Sequence, residues 1–284
     1  MREIESVGVV GAGFMGTGIA EAAAVAGLPV IVRDVDEAAL ARAGERIDTS
    51  LARAVRGGKL DDEHARVARE RIELTTRLQA IGEADLVVEA VPEDERLKLK
   101  VMAAIDGAAR DDAIVASNTS SIPIAELAQA IRNPSRVLGL HFFSPVPVMM
   151  LVEVVVALDT SPESVARARS FVERLGKRPI ETKDRSGFIV NMLLVPYLMA
   201  AVRMYEEGFA SREDIDNGMK LGCGHPMGPL TLCDFIGLDV LYAVCDSLYE
   251  EFKRDEYAPP PLMKRMVASG RLGRKSGRGF YDYG

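Results

Sequence analysis

The stretch Val9-Val10-Gly11-Ala12-Gly13-Phe14-Met15-Gly16 decides how the rest of the chain is interpreted. It is a glycine-rich turn that directly follows a short apolar segment, and an alanine-rich helical pattern over 18–26 comes after it. A second apolar run, Val30-Ile31-Val32, leads to the acid Asp34. Strand, glycine turn, helix, strand and acid in this order predict a βαβ unit that binds a dinucleotide.

The glycines have distinct physical roles in such a unit. Gly11 allows the tight turn, Gly13 lets the backbone approach a pyrophosphate, and Gly16 lets helix and strand pack closely. The N-terminus of the helix then offers N–H groups and a positive dipole end to the anion. Asp34 can accept hydrogen bonds from an adenosine ribose and would repel a 2′-phosphate, which predicts NAD rather than NADP. The alternative is an ordinary βαβ unit without a nucleotide.

Length and composition narrow the class of protein. The chain has 284 residues, 48% of them hydrophobic and 27% charged, which is typical of a globular protein of one large or two ordinary domains. Its formal charge of −7 argues against nucleic acid as a partner, because phosphate binding needs a basic surface. No targeting or membrane-spanning segment is predicted, so we expect a cytoplasmic protein. The three cysteines lack metal-ligand and redox-pair spacing, so no metal site is predicted.

Over the first two thirds of the chain, short β-branched runs alternate with helical patterns. Beyond the opening unit, strands are predicted at 85–91, 113–117, 136–142, 151–157 and 178–182. Helices are predicted within 37–69 and at 94–110 and 124–131. This alternation predicts an α/β fold with a Rossmann-type, doubly wound parallel sheet.

From about residue 184 the apolar period becomes helical and stays so to the end of the chain. We therefore expect two domains, a dinucleotide-binding domain at 1–184 and an all-α domain at 185–284. The first helix of the second domain carries the apolar residues Met192, Val195 and Met199. A domain of about a hundred residues cannot fully cover such a helix, which predicts a homodimer through this domain.

The three histidines can be judged one by one. His64 lies in the polar segment 61–64, which predicts a surface position, and His225 lies in a turn, where a structural role is favoured over a pocket rim. His141 instead follows the apolar run 137–140, at the carboxyl end of a predicted strand where doubly wound sheets bind their ligands. It is the candidate for acid–base chemistry.

Glu153 interrupts the apolar strand 151–156, and a buried carboxylate is unfavourable unless it is paired. His141 is the natural partner. In such a pair the carboxylate orients the imidazole and stabilises its protonated form, which predicts a general base that removes a hydroxyl proton. The alternative is a buried pair with a structural role only.

Two further polar features lie near predicted apolar segments. Ser117-Asn118-Thr119-Ser120-Ser121 follows a strand, and at least one of these residues is expected to cap the helix that begins near Ile124. Asn191 is the single polar residue in the apolar segment 188–194. It is expected either to cap a local group or to point into the site.

Together these residues resemble the L-3-hydroxyacyl-CoA dehydrogenases, and in particular the bacterial 3-hydroxybutyryl-CoA dehydrogenases. The matching segments run along the whole chain and are highly specific only in combination. They are the glycine-rich turn 11–16 and the segments 89–93, 117–121, 141–147, 151–154, 187–191, 225–229 and 275–281.

The resemblance implies roles in catalysis and cofactor binding. His141 would be the general base held by Glu153, while Ser120 and Asn191 would hydrogen-bond the 3-oxygen and thioester region of the substrate. Asp34 would bind the adenosine ribose of NAD. The residues implied on the nicotinamide side are Glu93, Lys98, Ser120, Ser144 and Lys275.

The resemblance also implies a CoA thioester substrate. Ser50 matches a position that contacts CoA, and Arg53, Arg56 and Lys59 could meet its phosphates, although a solvated helix explains them equally well. Two departures stand out: Ser144 replaces the asparagine usual after His-Phe-Phe, and Ser186 replaces the proline usual before Gly187. We expect a weaker nicotinamide contact from the first and a less rigid hinge from the second.

Two alternatives to this function remain open from the sequence. One keeps the chemistry but takes another 3-hydroxyacyl carrier, such as 3-hydroxyadipyl-CoA or an acyl-carrier-protein thioester, or a free hydroxy acid. The other is a non-catalytic nucleotide-binding relative, against which the retained His141, Glu153, Ser120 and Asn191 argue.

Overall fold

A computed structural model describes residues 2–284 and divides the chain into two compact units. Unit 1 ends at Asp184, and unit 2 runs from Arg185 to Gly284. Unit 1 is α/β and unit 2 is helical, which confirms the predicted fold class.

Unit 1 is built on one sheet of eight strands. The strands are β1 (Val7–Val10), β2 (Val30–Arg33), β3 (Ile72–Thr75), β4 (Leu86–Glu89), β5 (Ile114–Ser117), β6 (Val137–Phe142), β7 (Leu151–Val156) and β8 (Arg178–Lys183). Their order in the sheet is β3-β2-β1-β4-β5-β6-β7-β8, and β1 to β6 all run parallel. The carboxyl ends of β1, β2, β4, β5 and β6 therefore meet at one edge, where ligands bind in doubly wound sheets.

The sheet departs from the predicted all-parallel pattern at β7, which pairs antiparallel with β6. The reason is the length of the connection: only residues 143–150 link the two strands, whereas a parallel neighbour needs a crossover of a dozen residues or more. β8 then pairs parallel with β7 because a helix connects them. Strand β3 was not predicted; it is short, and polar Glu73 and Thr75 weaken its apolar pattern.

Six helices of unit 1 cover the sheet. They are α1 (Phe14–Val25), α2 (Glu37–Arg56), α3 (Asp62–Glu70), α4 (Glu95–Ala108), α5 (Ile124–Ala128) and α6 (Pro162–Arg174). Side chains of Asp36, Asp61 and Asp94 accept from backbone N–H groups at the starts of α2, α3 and α4. The starts of these helices were thus readable from the sequence, whereas α6 was not predicted.

The core of unit 1 lies on both faces of the sheet. The central strands β1, β4, β5 and β6 are buried at every position, as expected for strands covered by helices on both sides. Each carboxylate on these strands must therefore find a partner inside the protein, and this requirement fixes much of the site.

Unit 2 contains five helices around its own apolar core. They are α7 (Val190–Glu206), α8 (Arg212–Cys223), α9 (Pro229–Ile236), α10 (Leu238–Phe252) and α11 (Pro261–Ala268). Val195 and Met199 are fully buried within this core, so the expectation that they form an uncovered face was wrong. The helical period located the apolar face correctly, but α9, α10 and α11 cover it. No helix within residues 2–284 is long and apolar enough to cross a membrane.

Candidate active site

The glycine-rich turn has a geometry that side chains would disrupt. Gly11 has a φ of +113°, and a Cβ there would lie 2.5 Å from the carbonyl oxygen of Ala90 on the neighbouring strand end. A Cβ at Gly16 would overlap the carbonyl oxygen of Gly11. Gly13, in contrast, precedes α1 with open space on its side-chain face, among the described residues. The N-terminus of α1 therefore remains approachable by an anion.

Asp34 is held against this turn. Its Oδ2 accepts a hydrogen bond from Ala12 N at 2.8 Å, and its Oδ1 accepts one from Val35 N at 2.7 Å. The neighbouring Arg33 donates from Nε to the carbonyl oxygen of Thr76 at 3.3 Å, away from the carboxylate. The turn and the acid thus fit the adenosine diphosphate half of a dinucleotide, with an acceptor at the ribose position.

A buried ion pair lies at the end of β4. Lys98 on α4 donates to both carboxylate oxygens of Glu89, at 2.8 and 3.0 Å, and both side chains are buried. Ser117 Oγ on β5 also donates to Glu89 Oε2, at 2.5 Å. Glu89 was quoted in a matching motif but was not predicted as a site residue. The sequence signal that could have identified Glu89 is its position as an acid at the end of an apolar strand, like that of Asp34.

Glu93 organises the loop that contains Ser120. Its Oε1 accepts hydrogen bonds from the hydroxyl of Thr119 at 2.5 Å and the backbone N–H of Ser120 at 2.9 Å, and its Oε2 lies 3.3 Å from Lys98 Nζ. Burial opposes ionisation of Glu93, but Lys98 and these hydrogen bonds outweigh it and lower the pKa of the carboxyl group. A charged Glu93 thereby fixes both Lys98 and the Ser120 loop.

None of the residues 117–121 caps α5, and this expectation was wrong. The N-cap position of α5 is Pro123, without a side-chain cap. Instead, the carboxylate of Asp184 accepts from Ile124 N at 2.8 Å and from Ala125 N at 2.7 Å. The hydroxyls of this polar loop bind Glu93, Glu89 and local backbone N–H groups.

His141 and Glu153 form the predicted pair. They face each other in the antiparallel register of β6 and β7, and His141 Nδ1 lies 2.6 Å from Glu153 Oε2. Both side chains are buried, and the Phe143 ring packs beside the imidazole at a centroid distance of 4.6 Å. Because a carboxylate only accepts, Nδ1 carries the hydrogen in this bond, and the lone pair of the neutral ring is at Nε2.

The sheet brings these strand-end groups to one edge. Ser117 pairs with Glu89 on one side and with Gly139 on the other, and His141 lies two residues further along β6. Asn118 Oδ1 accepts from Phe142 N at 3.0 Å, which ties the Ser120 loop to the strand of His141. An imidazole, an ammonium group and hydroxyl groups therefore lie at the carboxyl ends of neighbouring strands, where doubly wound sheets bind their ligands.

A cavity of about 440 Å³ adjoins the glycine-rich turn, within the range of small-molecule sites. It lies between α1, α2 and the loop 143–150, and Ser50 and Arg53 line it. Glu21 also lines the cavity and accepts from Ser50 Oγ at 2.9 Å. Burial raises the pKa of Glu21, against the lowering effects of Ser50, Arg53 and Lys177. Arg56 and Lys59 are exposed and lie outside the cavity lining.

Other predicted residues have clear local environments. His64 is exposed and binds Asp61, as expected for a surface residue. His225 Nδ1 lies 3.2 Å from the hydroxyl of Tyr197 within unit 2, which supports a structural role. Ser144 is exposed in the loop 143–150, whereas Ser186 is buried.

Unit 2 carries Asn191 and Lys275. Asn191 lies in the first turn of α7, and Lys275 forms an ion pair with Asp239 of α10 at 2.5 Å. Burial opposes ionisation of Asp239, but the contact with Lys275 outweighs it and lowers the pKa of the carboxyl group. Of the predicted site residues, unit 2 thus carries Asn191 at a helix start and Lys275 in an ion pair.

Most of the C-terminal motif 275–281 is structural. The buried carboxylate of Asp234 accepts from Phe280 N and Tyr281 N, each at 2.9 Å, and a Cβ at Gly279 would overlap it. Burial raises the pKa of Asp234, in spite of these hydrogen bonds. Asp234 was missed by the sequence reasoning, because a lone acid within a short apolar helix shows no partner along the chain.

Comparison with known proteins identifies relatives over the full length of the chain. The model of the NAD binding domain of 3-hydroxyacyl-CoA dehydrogenase matches residues 6–185, and that of the C-terminal domain matches residues 187–283. A 3-hydroxybutyryl-CoA dehydrogenase of Mycobacterium tuberculosis is 51% identical, with 99% of each chain covered.

Solved structures agree with this comparison. The crystal structure of FadB2 from M. tuberculosis matches with a TM-score of 0.98 at 50% identity, covering 100% of both chains. The (S)-3-hydroxybutyryl-CoA dehydrogenase PaaH1 from Ralstonia eutropha matches with a TM-score of 0.94 at 46% identity, covering 99% of this chain and 100% of that one.

Proposed function

Because the chain belongs to the NAD-dependent 3-hydroxyacyl-CoA dehydrogenase family, we propose that it interconverts (S)-3-hydroxybutyryl-CoA and acetoacetyl-CoA with His141 as general base. The observation that carries the proposal is the buried His141–Glu153 pair at 2.6 Å on the ligand-binding edge of the sheet. A buried acid–base pair at such an edge is the arrangement that alcohol oxidation needs, since the hydroxyl proton must leave.

In the oxidation direction, Nε2 of His141 accepts the proton of the substrate's 3-hydroxyl group. Glu153 holds the ring through Nδ1 and stabilises the imidazolium that forms. The hydride that leaves the same carbon would be taken up by the nicotinamide of bound NAD, which is the chemistry this cofactor supplies. In the reverse direction the imidazolium returns its proton to the 3-oxygen.

Ser120 and Asn191 are proposed to hydrogen-bond the 3-oxygen and the thioester region of the substrate. Ser120 is preorganised for this role, because Glu93 accepts from its backbone N–H at 2.9 Å. Its hydroxyl donates to the same Glu93 oxygen at 3.4 Å, so binding of the substrate gives up only a long hydrogen bond.

The cofactor is proposed to lie along the turn 11–16 with its adenosine ribose at Asp34. The open face at Gly13 and the carboxylate fixed on Ala12 N support this placement. On the nicotinamide side we propose Glu93, Lys98, Ser120, Ser144 and Lys275. The backbone N–H groups of residues 13–16, at the start of α1, are proposed to bind the pyrophosphate, since those of Gly11 and Ala12 already donate to Arg33 and Asp34.

The CoA portion of the substrate is proposed to use α2 and the cavity beside it. Ser50 and Arg53 line the cavity, and a guanidinium there offers a phosphate partner. The exposed Arg56 and Lys59 lie further along the same segment and are proposed to meet the outer phosphates.

A homodimer through unit 2 is part of the proposal. Its support is the set of large apolar side chains that unit 2 leaves largely exposed: Leu193, Phe209 and Leu221. Light scattering at micromolar concentration should give twice the chain mass of 30.8 kDa. A fully active monomer would contradict this part of the proposal.

The decisive experiment follows NADH absorbance with acetoacetyl-CoA as substrate. We expect rapid oxidation of NADH that depends on His141, and a panel of C4 to C16 3-oxoacyl-CoA thioesters should show a preference for the shortest. If the enzyme prefers an acyl-carrier-protein thioester, 3-oxoadipyl-CoA or a free oxo acid, the proposed chemistry stands and the proposed substrate is wrong. NADH binding without turnover of any of them would contradict the proposed activity.

A further inference from the structure

The loop 143–150, which joins His141's strand to Glu153's strand, has little apolar anchorage of its own. Val146 is its one buried residue, and it packs against Gly18 of α1, where a Cβ would lie 2.9 Å from Val146 Cβ. Val148 and Met150 are more than half exposed. One packed side chain fixes the middle of the loop, so other contacts must fix its second half.

Lys177, immediately before β8, supplies those contacts. Its Nζ donates to the carbonyl oxygens of Val146 at 2.6 Å and Met149 at 2.8 Å. Arg178 N adds a hydrogen bond to the carbonyl oxygen of Met150 at 2.6 Å. The ammonium group thus bridges the two ends of the segment 146–149, and its bonds are charge-assisted and correspondingly strong.

Lysine side chains are rarely buried in proteins, so the position of Lys177 is unusual. The side chain of Lys177 is buried, and burial of an ammonium group is unfavourable unless its donors are used. Burial lowers the pKa of Lys177, and the charge of Glu21 opposes that shift. Among the described residues, no carboxylate lies within ion-pair distance of Lys177. Its contacts are therefore with the loop backbone.

The loop in turn forms one wall of the cavity. Pro145, Val146 and Pro147 line it opposite α2, with Glu21 and Ser50 beside them. A displacement of the segment 145–147 would change the shape of the cavity, which Phe14 of the glycine-rich turn also lines, whereas Asp34 lies outside the lining.

We propose that Lys177 is a positioning residue for the reaction, which fixes the loop 143–150 and thereby the cavity wall against which the thioester binds. The inference rests on the proposed use of the cavity by the substrate. It predicts that loss of the ammonium group weakens substrate binding more than NADH binding, because Asp34 and the start of α1, at the adenosine half of the dinucleotide site, make no contact with Lys177.

The test compares Lys177→Met with the matched control Lys183→Met, at the exposed far end of β8. For Lys177→Met we expect KM for acetoacetyl-CoA to rise roughly tenfold or more, because two charge-assisted hydrogen bonds are lost. The Kd for NADH should rise less than this KM, because Lys177 contacts Val146 and Met149 and neither Ser144 nor Asp34. Lys183→Met should behave like the wild type in both measurements.

A second readout does not depend on substrate identity. Hydrogen–deuterium exchange should be faster in peptides covering 143–150 of Lys177→Met and unchanged in peptides covering 11–16. If the wild type turns over no thioester, the proposed function fails, whereas exchange still tests whether Lys177 holds the loop.

The outcomes that overturn the proposal are distinct. They are wild-type KM together with wild-type exchange in Lys177→Met, or a loss of NADH affinity equal to the loss of substrate affinity. If Lys177→Met does not fold, Lys177→Gln, which keeps an amide donor, is measured in the same way. Failure of both variants to fold would assign Lys177 to folding and overturn the positioning role.

Discussion

The sheet of unit 1 contains two buried carboxylates, Glu153 and Glu89, which are bound by an imidazole and by an ammonium group respectively. Glu153 faces His141 across two antiparallel strands, and its Oε2 lies 2.6 Å from His141 Nδ1. Glu89 accepts two bonds from Lys98 and one from Ser117 at the end of a parallel strand. An imidazole exchanges protons near neutral pH, whereas an ammonium group surrounded by acceptors keeps its charge.

The two pairs are buried to a similar extent, but their chemistry suits different roles. The imidazole of the His141–Glu153 pair can take up and release a proton while the hydrogen bond to the carboxylate is kept, which suits acid–base chemistry. The Lys98–Glu89 pair provides a fixed charge that also lowers the pKa of Glu93, and so holds the Ser120 loop. Substitutions should therefore affect catalysis at the first pair and stability at the second.

The largest effect is expected from His141→Ala. Loss of a positioned general base should lower kcat on the order of 10²–10⁴-fold, while NADH binding stays nearly unchanged. Steady-state kinetics with acetoacetyl-CoA and NADH titration measure the two quantities. His64→Ala, at the exposed histidine, is the control and should have no effect. A modest loss of kcat would place His141 in a structural role.

Glu153→Gln should lower kcat as well, because a neutral amide no longer stabilises the imidazolium. We expect a smaller loss than for His141→Ala, of roughly tenfold or more. The double variant should lose little beyond His141→Ala, since both residues serve one proton transfer. Losses that multiply in the double variant would show that the two residues act independently.

Lys98→Met tests the second pair. It leaves Glu89 buried without its cation, which should destabilise the protein by about 3–5 kcal/mol and lower Tm by roughly 6–20 °C. Adding Glu89→Gln should recover part of that loss, because the uncompensated charge is removed. Lys100→Met, on the exposed face of α4, is the matched control for calorimetry. An unchanged Tm in Lys98→Met would contradict a stabilising pair.

Much of this site was predictable because the relevant signals are local. Asp34 and His141 each lie at the end of an apolar strand, and Glu153 interrupts another. A polar group in such a position must have a partner inside the protein or bind a ligand, so the sequence alone identifies it as a candidate site residue. The fold class followed from the alternation of strands and helices in the same way.

The rest depends on contacts between distant parts of the chain. Asp184 caps α5 across 60 residues, and Lys177 reaches a loop about thirty residues before it. Neither contact leaves a pattern along the sequence, because backbone acceptors and donors look alike at every position. The covered face of α7 was missed for the same reason, since α9 to α11 pack there.

Asp34 differs from Glu153 and Glu89 because its carboxylate is bound by backbone N–H groups. Among residues 2–284 it forms no ion pair. The like charges of Asp34 and the 2′-phosphate of NADPH would lie close together, and such a contact weakens binding by up to about several kcal/mol. Asp34→Ser should reduce the ratio of kcat/KM for NADH to that for NADPH, because the repulsion is removed. The double variant Asp34→Ser with Val35→Arg should reduce this ratio further, since the arginine can bind the 2′-phosphate. Arg33 is not expected to compensate, because its Nε is bonded to Thr76. A wild-type preference for NADPH would contradict this assignment.

The smallest effect is expected at Glu21, a buried carboxylate without a direct cationic contact in the described part of the chain. Burial raises the pKa of Glu21 above that of the unfolded chain. The folded state therefore holds its proton more tightly, and stability is lost as pH rises from the ordinary glutamate value through the folded pKa. Below that window both states are protonated, and the contribution of Glu21 to stability is fully present.

Glu21→Gln removes this titration and keeps an oxygen that can accept from Ser50. Its Tm relative to wild type should accordingly be higher at pH 7 than at pH 4, a shift of a few degrees at most by the scale of single-site effects. Calorimetry at both pH values measures it, with Glu45→Gln on the same cavity as the control. A difference that grows toward pH 4 instead would mean that Lys177 and Arg53 outweigh burial at Glu21, which would make it a third paired carboxylate.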